Sequence, residues 1–246
     1  MEYKIEKIVP YVSDNASKSE QIESMFDEIA GKYDFLNHSL SLGIDKSWRK
    51  RGILALKDLH PKKVLDIATG TGDLAIGAYR LLKPESILGI DLSEKMMSVG
   101  REKVAKAGLT NIVSFDKQDC VDLQLENDSF DAAMVAFGIR NFEQLDRSLQ
   151  EILRVLKSGG KFMILELTTP DFFPMKQAYQ LYSKLIPTFG NCISRNNAAA
   201  YLYLPKSIAA FPQGKEMKAI LEKNGFKNVS YRKLTFGICT MYLGSK

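Results

Sequence analysis

Apolar residues recur along this chain with two periods, and the elements change where the period changes. Ile22, Met25, Phe26, Ile29 and Tyr33 return at helical spacing and predict a helix over 18–38, and a second follows over 45–58. Beyond residue 60, short apolar runs alternate with amphipathic stretches. The runs predict strands at 63–67, 87–91, 112–116, 131–136 and 161–166, with helices between them at 73–82, 94–107 and 143–156. Gly108 and the pair Gly159 and Gly160 mark helix ends or turns. Such alternation means βαβ units and a parallel sheet covered on both faces. The pattern then changes. Lys215–Asn224 reads as a helix stopped by Gly225, and the runs Val229–Leu234 and Ile238–Leu243 are separated only by Thr235, Phe236 and Gly237. So short a connection makes an antiparallel hairpin.

The first predicted strand enters a glycine turn, Asp66-Ile67-Ala68-Thr69-Gly70-Thr71-Gly72-Asp73, and the second ends on Asp91. This is how a nucleotide-like cofactor is held at the edge of a parallel sheet. Gly70 and Gly72 are free to take positive φ and let a ligand approach the backbone. Two cofactors fit such a turn. A dinucleotide places its pyrophosphate on the helix N-terminus, but Asp66 precedes the turn and Asp73 falls at the expected N-cap, where a carboxylate repels a diphosphate. S-adenosylmethionine carries an ammonium and a sulfonium, which acids suit. The turn alone leaves both open, since Gly70 to Ala75 also satisfies the loose dinucleotide pattern. The hairpin narrows the choice. A plain dinucleotide domain adds a sixth parallel strand, whereas five parallel strands and an antiparallel pair are the class I methyltransferase order. The expected fold is therefore α/β, of the class I S-adenosylmethionine methyltransferase (Rossmann-like) type: a seven-stranded, mostly parallel sheet with a C-terminal antiparallel hairpin.

The 246 residues, 45% hydrophobic, suit one domain over 1–246. Residues 18–58 form its N-terminal helical cover. Residues 168–212 form an aromatic-rich insertion in which Met175, Ala178, Tyr179, Tyr182, Leu185, Ile186 and Phe189 fit one helical face. That face either packs in the core or makes a lid over an apolar substrate, since it follows a strand whose carboxyl end faces the site. The net charge of +5 is mild. Basic residues cluster only at Lys46, Arg49, Lys50 and Arg51, which is either a solvated helix face or a docking site for an anionic membrane surface. No basic tract with interleaved aromatics points to nucleic acid. Cys120, Cys192 and Cys239 are far apart and the two histidines are isolated, so neither a metal site nor a disulfide framework is expected, and a cytoplasmic setting follows. No apolar run reaches the length of a membrane span, which leaves a peripheral contact at the inner face of the membrane. Nothing in the pattern sets an oligomeric state.

Several segments resemble the UbiE/MenG family, whose members C-methylate the ring of menaquinone or ubiquinone precursors. Asp131–Asn141, with its Phe137-Gly138-Ile139-Arg140-Asn141, is similar to that family's Phe-Gly-Leu-Arg-Asn segment. Tyr33-Asp34-Phe35-Leu36-Asn37 with Ser41 and Trp48 looks like its first signature, and Arg154–Thr168 like its second. Tyr203–Ile208, Phe211-Pro212 and Leu234–Lys246 also agree. The resemblance covers nearly all of the chain from residue 20. It departs in three places. Asp45 stands where the family often has His, Ser158 replaces a usual Pro, and Ala136 stands where some members have Ser near the cofactor.

The resemblance implies demethylmenaquinol as substrate and S-adenosylmethionine as methyl donor. A ubiquinone precursor, or another apolar small molecule, is the alternative substrate. A nicotinamide oxidoreductase and a non-catalytic binding protein are the other classes. Thr71 is implied at the methionine part of the donor, Asp119 at the adenine amino group and the Cys120 backbone N–H at a ring nitrogen. Asp66 and Asp91 end their strands, where Asp66 accepts from donor N–H groups and Asp91 from both ribose hydroxyls. The prenylated naphthoquinol must lose a phenolic proton, of ordinary pKa about 10, before its ring carbon becomes nucleophilic. Arg140 is the expected activating group, through the phenolate or an oriented water, with Asn141 on a quinol oxygen. Asp34 is the second candidate base and His38 the third. Tyr33, Asn37, Tyr201 and Tyr203 are expected around the substrate.

Overall fold

The computed structural model describes residues 2–183 and 198–246. Its strands are β1 (Lys63–Ile67), β2 (Ser86–Asp91), β3 (Val113–Lys117), β4 (Phe130–Ala136), β5 (Leu156–Leu167), β6 (Lys227–Leu234) and β7 (Cys239–Ser245). They form one seven-stranded sheet in the order β3-β2-β1-β4-β5-β7-β6. β1 to β5 pair in parallel, and β7 lies antiparallel between β5 and β6, as the short connection requires. The helices are α1 (Lys18–Ile29), α2 (Tyr33–Leu40), α3 (Ile44–Leu54), α4 (Asp73–Leu82), α5 (Glu94–Lys106), α6 (Leu145–Val155), α7 (175–183), α8 (Ala198–Ala210) and α9 (Lys215–Lys223).

Alternation along the central strands divides the core in two. Leu65, Ile67, Ala133 and Val135 face α6 and α9, whereas Val64, Ala132 and Met134 face α3 and α4. Both faces are therefore apolar, and the strands read as continuous hydrophobic runs. Asp66 falls on the face of Val64, and Glu166 on that of Phe162 and Ile164.

Two expected elements differ. The helix predicted over 18–38 is interrupted by a 3-10 turn, Ala30–Lys32, and resumes as α2. Gly31 lies in that turn, where the cost of glycine in a helix makes a break cheap. The break brings the Phe26 and Tyr33 rings edge to face at 5.8 Å. The start of α1 is well specified: the Ser17 hydroxyl accepts from the Glu20 N–H while the Glu20 carboxylate accepts from the Ser17 N–H. The strand predicted at 161–166 begins earlier, at Leu156, through a register shift against β4 with Gly159 at φ +77°.

The strand order reverses between β1 and β4, and the loops leaving their carboxyl ends meet there. A Cβ on Gly138 would lie 2.5 Å from the Ala68 Cβ, so only glycine allows this approach. Phe137, just before it, is held at φ +64°. Such a conformation costs about 1–3 kcal/mol in a residue with a side chain and clusters at functional sites. It brings the ring to 6.1 Å from that of Trp48. Above the switch point, α1 and α2 pack against α8, Tyr203 with Ile22 and Met25 and Tyr201 with Leu36. Of the helical face expected in 168–212, Met175, Ala178, Tyr179 and Tyr182 are on α7. Leu185, Ile186 and Phe189 lie outside the described residues, as does Cys192.

Candidate active site

Three hollows share walls over the carboxyl ends of β1, β2 and β4. The largest, about 310 Å³, is mainly apolar, with Met25, Leu36, Trp48 and Leu167 among its lining. A cleft of about 70 Å³ runs past Gly70, Asp91, Asp119 and Cys120. A third, about 20 Å³, lies against Asp66 and the glycine turn. Tyr33 lines all three. Phe137 joins the cavity to the second cleft, and Arg49 joins it to the third.

The two clefts are acidic. Asp91 Oδ2 accepts the Gly70 N–H at 2.8 Å and Oδ1 the Ser93 N–H at 2.9 Å. Each oxygen keeps a lone pair, so the fixed carboxylate can still accept from a diol. Burial raises its pKa, against the backbone N–H groups that lower it. Asp119 Oδ1 accepts the Val121 N–H at 3.0 Å, and Oδ2 accepts the Ser19 hydroxyl at 3.2 Å. Asp66 is 1% exposed: Oδ2 accepts the Thr69 hydroxyl at 2.7 Å, while Oδ1 has no partner at hydrogen-bond distance among the described residues. Burial pushes its pKa up to about 7, against the Thr69 hydroxyl and the Ala75 backbone N–H, which lower it. A buried carboxylate oxygen without a partner calls for a donor, and an ammonium is one that can supply it. Asp66 and Asp73 both stand at the turn where a diphosphate would need N–H groups and positive charge. These clefts offer carboxylate acceptors to a diol and to a cationic group.

In the cavity wall stands Arg140, carried on a 3-10 turn after β4. It is 6% exposed, and its Nη1 pairs with Glu166 Oε1 at 2.7 Å and also donates to the Phe137 carbonyl. Glu166 is fully buried and also accepts the backbone N–H groups of Leu167 and Arg140. Burial works against the guanidinium charge, but Glu166 and the phenols of Tyr203 and Tyr33 outweigh it and its pKa rises. Burial likewise raises the Tyr33 and Tyr203 phenols and pushes Tyr179 up to about 12. At neutral pH these phenols donate hydrogen bonds rather than accept protons.

The model of the ubiE/COQ5 methyltransferase family matches residues 14–246. The chain belongs to this family. A demethylmenaquinone methyltransferase of Bacteroides fragilis is 56% identical over 247 residues, spanning 100% of both chains. One from Porphyromonas gingivalis is 46% identical over 243 residues, 98% of each. Among solved structures, a SAM-dependent methyltransferase from Thermotoga maritima superposes with a TM-score of 0.62 at 18% identity, covering 92% of this chain and 99% of that one, a likeness of fold alone. Membership of a methyltransferase family with this fold implies use of S-adenosylmethionine.

The methyltransferase site departs from its expected layout. Asp34, expected as a base, is turned from the cavity: Oδ1 accepts the Thr71 hydroxyl at 2.6 Å and Oδ2 pairs with Lys103 at 2.7 Å. The same lysine binds Asp73, which sits at the first position of α4 behind the N-cap Gly72 rather than capping the helix itself. Thr71 therefore spends its hydroxyl on Asp34. Asn141 lines the Asp91 cleft, not the apolar cavity, and accepts the Tyr203 hydroxyl at 3.0 Å. His38 faces Asp45, Nδ1 to Oδ2 at 2.9 Å, and Asp73, Nε2 to Oδ2 at 3.7 Å, and is not on the cavity lining. Tyr33, Asn37, Tyr201 and Tyr203 do line the cavity, and the Tyr201 hydroxyl is buried without a partner among the described residues. Ala136 lines both clefts and offers them no hydroxyl. The Cys120 thiol is raised well above its usual pKa by burial, which suits a wall and not a nucleophile.

Lys18 belongs to the frame of the site. Its buried ammonium donates to the carbonyls of Ile5 at 2.8 Å, Phe142 at 3.2 Å and Arg140 at 3.3 Å, tying α1 to the Arg140 turn. Burial lowers its pKa from 10.5 to about 8, against Glu6 and Glu143. The unfolded chain therefore binds more protons between those values, and this group's contribution to stability rises with pH. Between about pH 7 and about pH 9 the gain from Lys18 is expected to be roughly 1 kcal/mol, and Lys18→Met removes it. Urea unfolding of both proteins at the two pH values measures the difference.

Proposed function

We propose that this chain is an S-adenosylmethionine-dependent C-methyltransferase that converts demethylmenaquinol to menaquinol. One observation carries the reading: a buried Arg140, fixed by Glu166, stands in the wall of an apolar cavity that shares Tyr33 and Phe137 with an acidic cleft past Asp91 and Asp119. The name of the Bacteroides fragilis relative supports the choice of quinol.

In this reading Asp91 takes the ribose diol, Asp119 the adenine amino group, the Cys120 N–H a ring nitrogen and Asp66 the ammonium. The backbone of Gly70, Thr71 and Gly72 flanks the methionine end. S-adenosylmethionine, when bound, supplies a methyl group made electrophilic by its sulfonium. Arg140 acts on the other reactant. A guanidinium does not accept protons, but beside a phenolic oxygen in a low-dielectric cavity it stabilises the phenolate and lowers that phenol's pKa from about 10. The proton leaves to water, and the ring carbon becomes nucleophilic. Tyr33, kept protonated by burial, would donate to a quinol oxygen, whereas the Tyr203 hydroxyl donates to Asn141 and leaves only its oxygen toward the cavity. Transfer of the methyl would turn phenolate and sulfonium into two neutral products, a thioether and a C-methylated keto tautomer, a cancellation of charge that a dry cavity favours. Loss of the ring C–H proton to water and return of a proton to the oxygen would then restore the aromatic quinol.

The quinol's prenyl tail has a way out. Leu42, Ile44 and Tyr182 line the cavity and are 85%, 39% and 38% exposed, so the mouth is apolar. Lys46, Lys50 and Arg51 are exposed on α3 beside it. This suits a peripheral contact with the inner face of an anionic membrane. Among the described residues, no helix is long and apolar enough to cross one.

Incubation with methyl-labelled donor and a reduced prenylated naphthoquinol, in vesicles, is expected to label the ring carbon. A prenylated benzoquinol run alongside separates a single from a dual substrate range. Label on neither ring overturns the quinol assignment.

A further inference from the structure

We infer that Arg49 is the carboxylate ligand of the methyl donor, held ready for it by Asp45. The inference rests on the cofactor reading above and deepens it.

Arg49 lies in the basic stretch of α3 but does not belong to its solvent face. Lys46, Lys50 and Arg51 are exposed, whereas the Arg49 side chain is 11% exposed and turned inward. Its guanidinium stands 5.2 Å from the centre of the Phe137 ring, over the residue held at positive φ. It lines both the apolar cavity and the small cleft against Asp66. Of the described residues lining that cleft, Arg49 alone is cationic. Lys103, the nearby cation, is occupied by Asp34 and Asp73 and is not on the lining.

The amino-acid end of the donor is a zwitterion, so its pocket needs an acid and a base. Asp66, with its orphaned oxygen, is the acid. Arg49 is the cation that pairs with the carboxylate, and a guanidinium meets a carboxylate with two parallel bonds. Among the described residues only its Nη1 is bonded, to Asp45 Oδ2, which leaves donors of the fork for a ligand. Asp45 is itself fixed, by the Ser41 hydroxyl at 2.7 Å and His38 at 2.9 Å. It is 3% exposed. The group that departs from the family pattern thus fixes the arginine at the junction of donor and acceptor.

Calorimetry with two ligands tests this: S-adenosylhomocysteine, and its decarboxylated analogue, which keeps the amine. The unaltered protein is expected to prefer the first by about 10–100-fold, the worth of one charge-assisted pair. Arg49→Met is expected to erase that preference by weakening S-adenosylhomocysteine alone. Arg49→Lys, which keeps the charge and loses the fork, is expected to fall between, and it decides the matter if the Met variant does not fold. Equal weakening of both ligands, or no change in either, overturns the assignment and leaves Arg49 a packing residue under Phe137. Should the unaltered protein bind neither ligand, the cofactor reading falls and the inference with it.

Discussion

Asp66→Asn is expected to make the empty protein more stable at neutral and higher pH while removing tight donor binding. In the folded protein burial raises the Asp66 carboxyl from 3.8 to about 7. The folded state therefore holds a proton that the unfolded chain releases above 3.8, and the contribution of Asp66 to stability is lost as pH rises through about 7. Above that pH the empty protein carries a buried, half-partnered charge whose cost is on the order of 4 kcal/mol. Asparagine carries no such charge. The variant is expected to gain stability over the parent at about pH 8 and to lose that advantage near pH 4. Ligand binding then runs the other way. An ammonium at the orphaned oxygen favours the carboxylate, so S-adenosylhomocysteine should expel a proton from Asp66 on binding at about pH 6. Calorimetry in buffers of different ionisation enthalpy reads that proton directly. Proton release that persists in Asp66→Asn assigns it to another group. A variant less stable than the parent at pH 8 would show that Asp66 is a structural acid.

The sheet was legible because both of its faces are buried: strands packed on two sides must be apolar throughout, and βαβ alternation orders them. Asp66 and Asp91 were legible for a related reason, since an acid that ends an apolar run falls at the carboxyl edge where ligands bind. What escaped depends on side chains from distant segments. Asp34 carries no local sign that Lys103 of α5 will claim it. Arg49 was lost in a run of basic residues, although its spacing of four from Asp45 places the two on one helix face and could have set it apart. Glu166 was the plainest omission. It is the one charged residue within Phe162–Leu167, and a charge in such a run has to be paired. The apolar lining of the cavity was half legible: Tyr201 and Tyr203 were foreseen, but Met25, Trp48 and Leu167 come together only when α1, α3 and β5 do.

Separating what Arg140 does for the reaction from what it does for the fold requires its partner. Arg140→Met strands a fully buried Glu166 carboxylate, and removing one member of such a pair typically costs about 3–5 kcal/mol. Loss of activity in that variant alone would be ambiguous, because part of the protein would be unfolded. Glu166→Gln strands the guanidinium instead and should cost a similar amount. The double variant Arg140→Met/Glu166→Gln has neither charge, and the residues share one interaction, so its stability is expected to lie well above the sum of the two losses. Thermal unfolding gives that coupling. Turnover is expected to behave differently. Where the guanidinium stabilises the phenolate, the restored fold restores nothing, and the double variant should stay about 10²–10³-fold below the parent, the usual worth of one well-placed group on a developing oxyanion. The loss should shrink as pH approaches the phenol's own pKa near 10, because the unaided quinol then ionises by itself. A double variant that regains both stability and turnover would make Arg140 a brace for Glu166 and the β4 loop. A defect that stays constant with pH would place the arginine in substrate positioning rather than in activation of the ring.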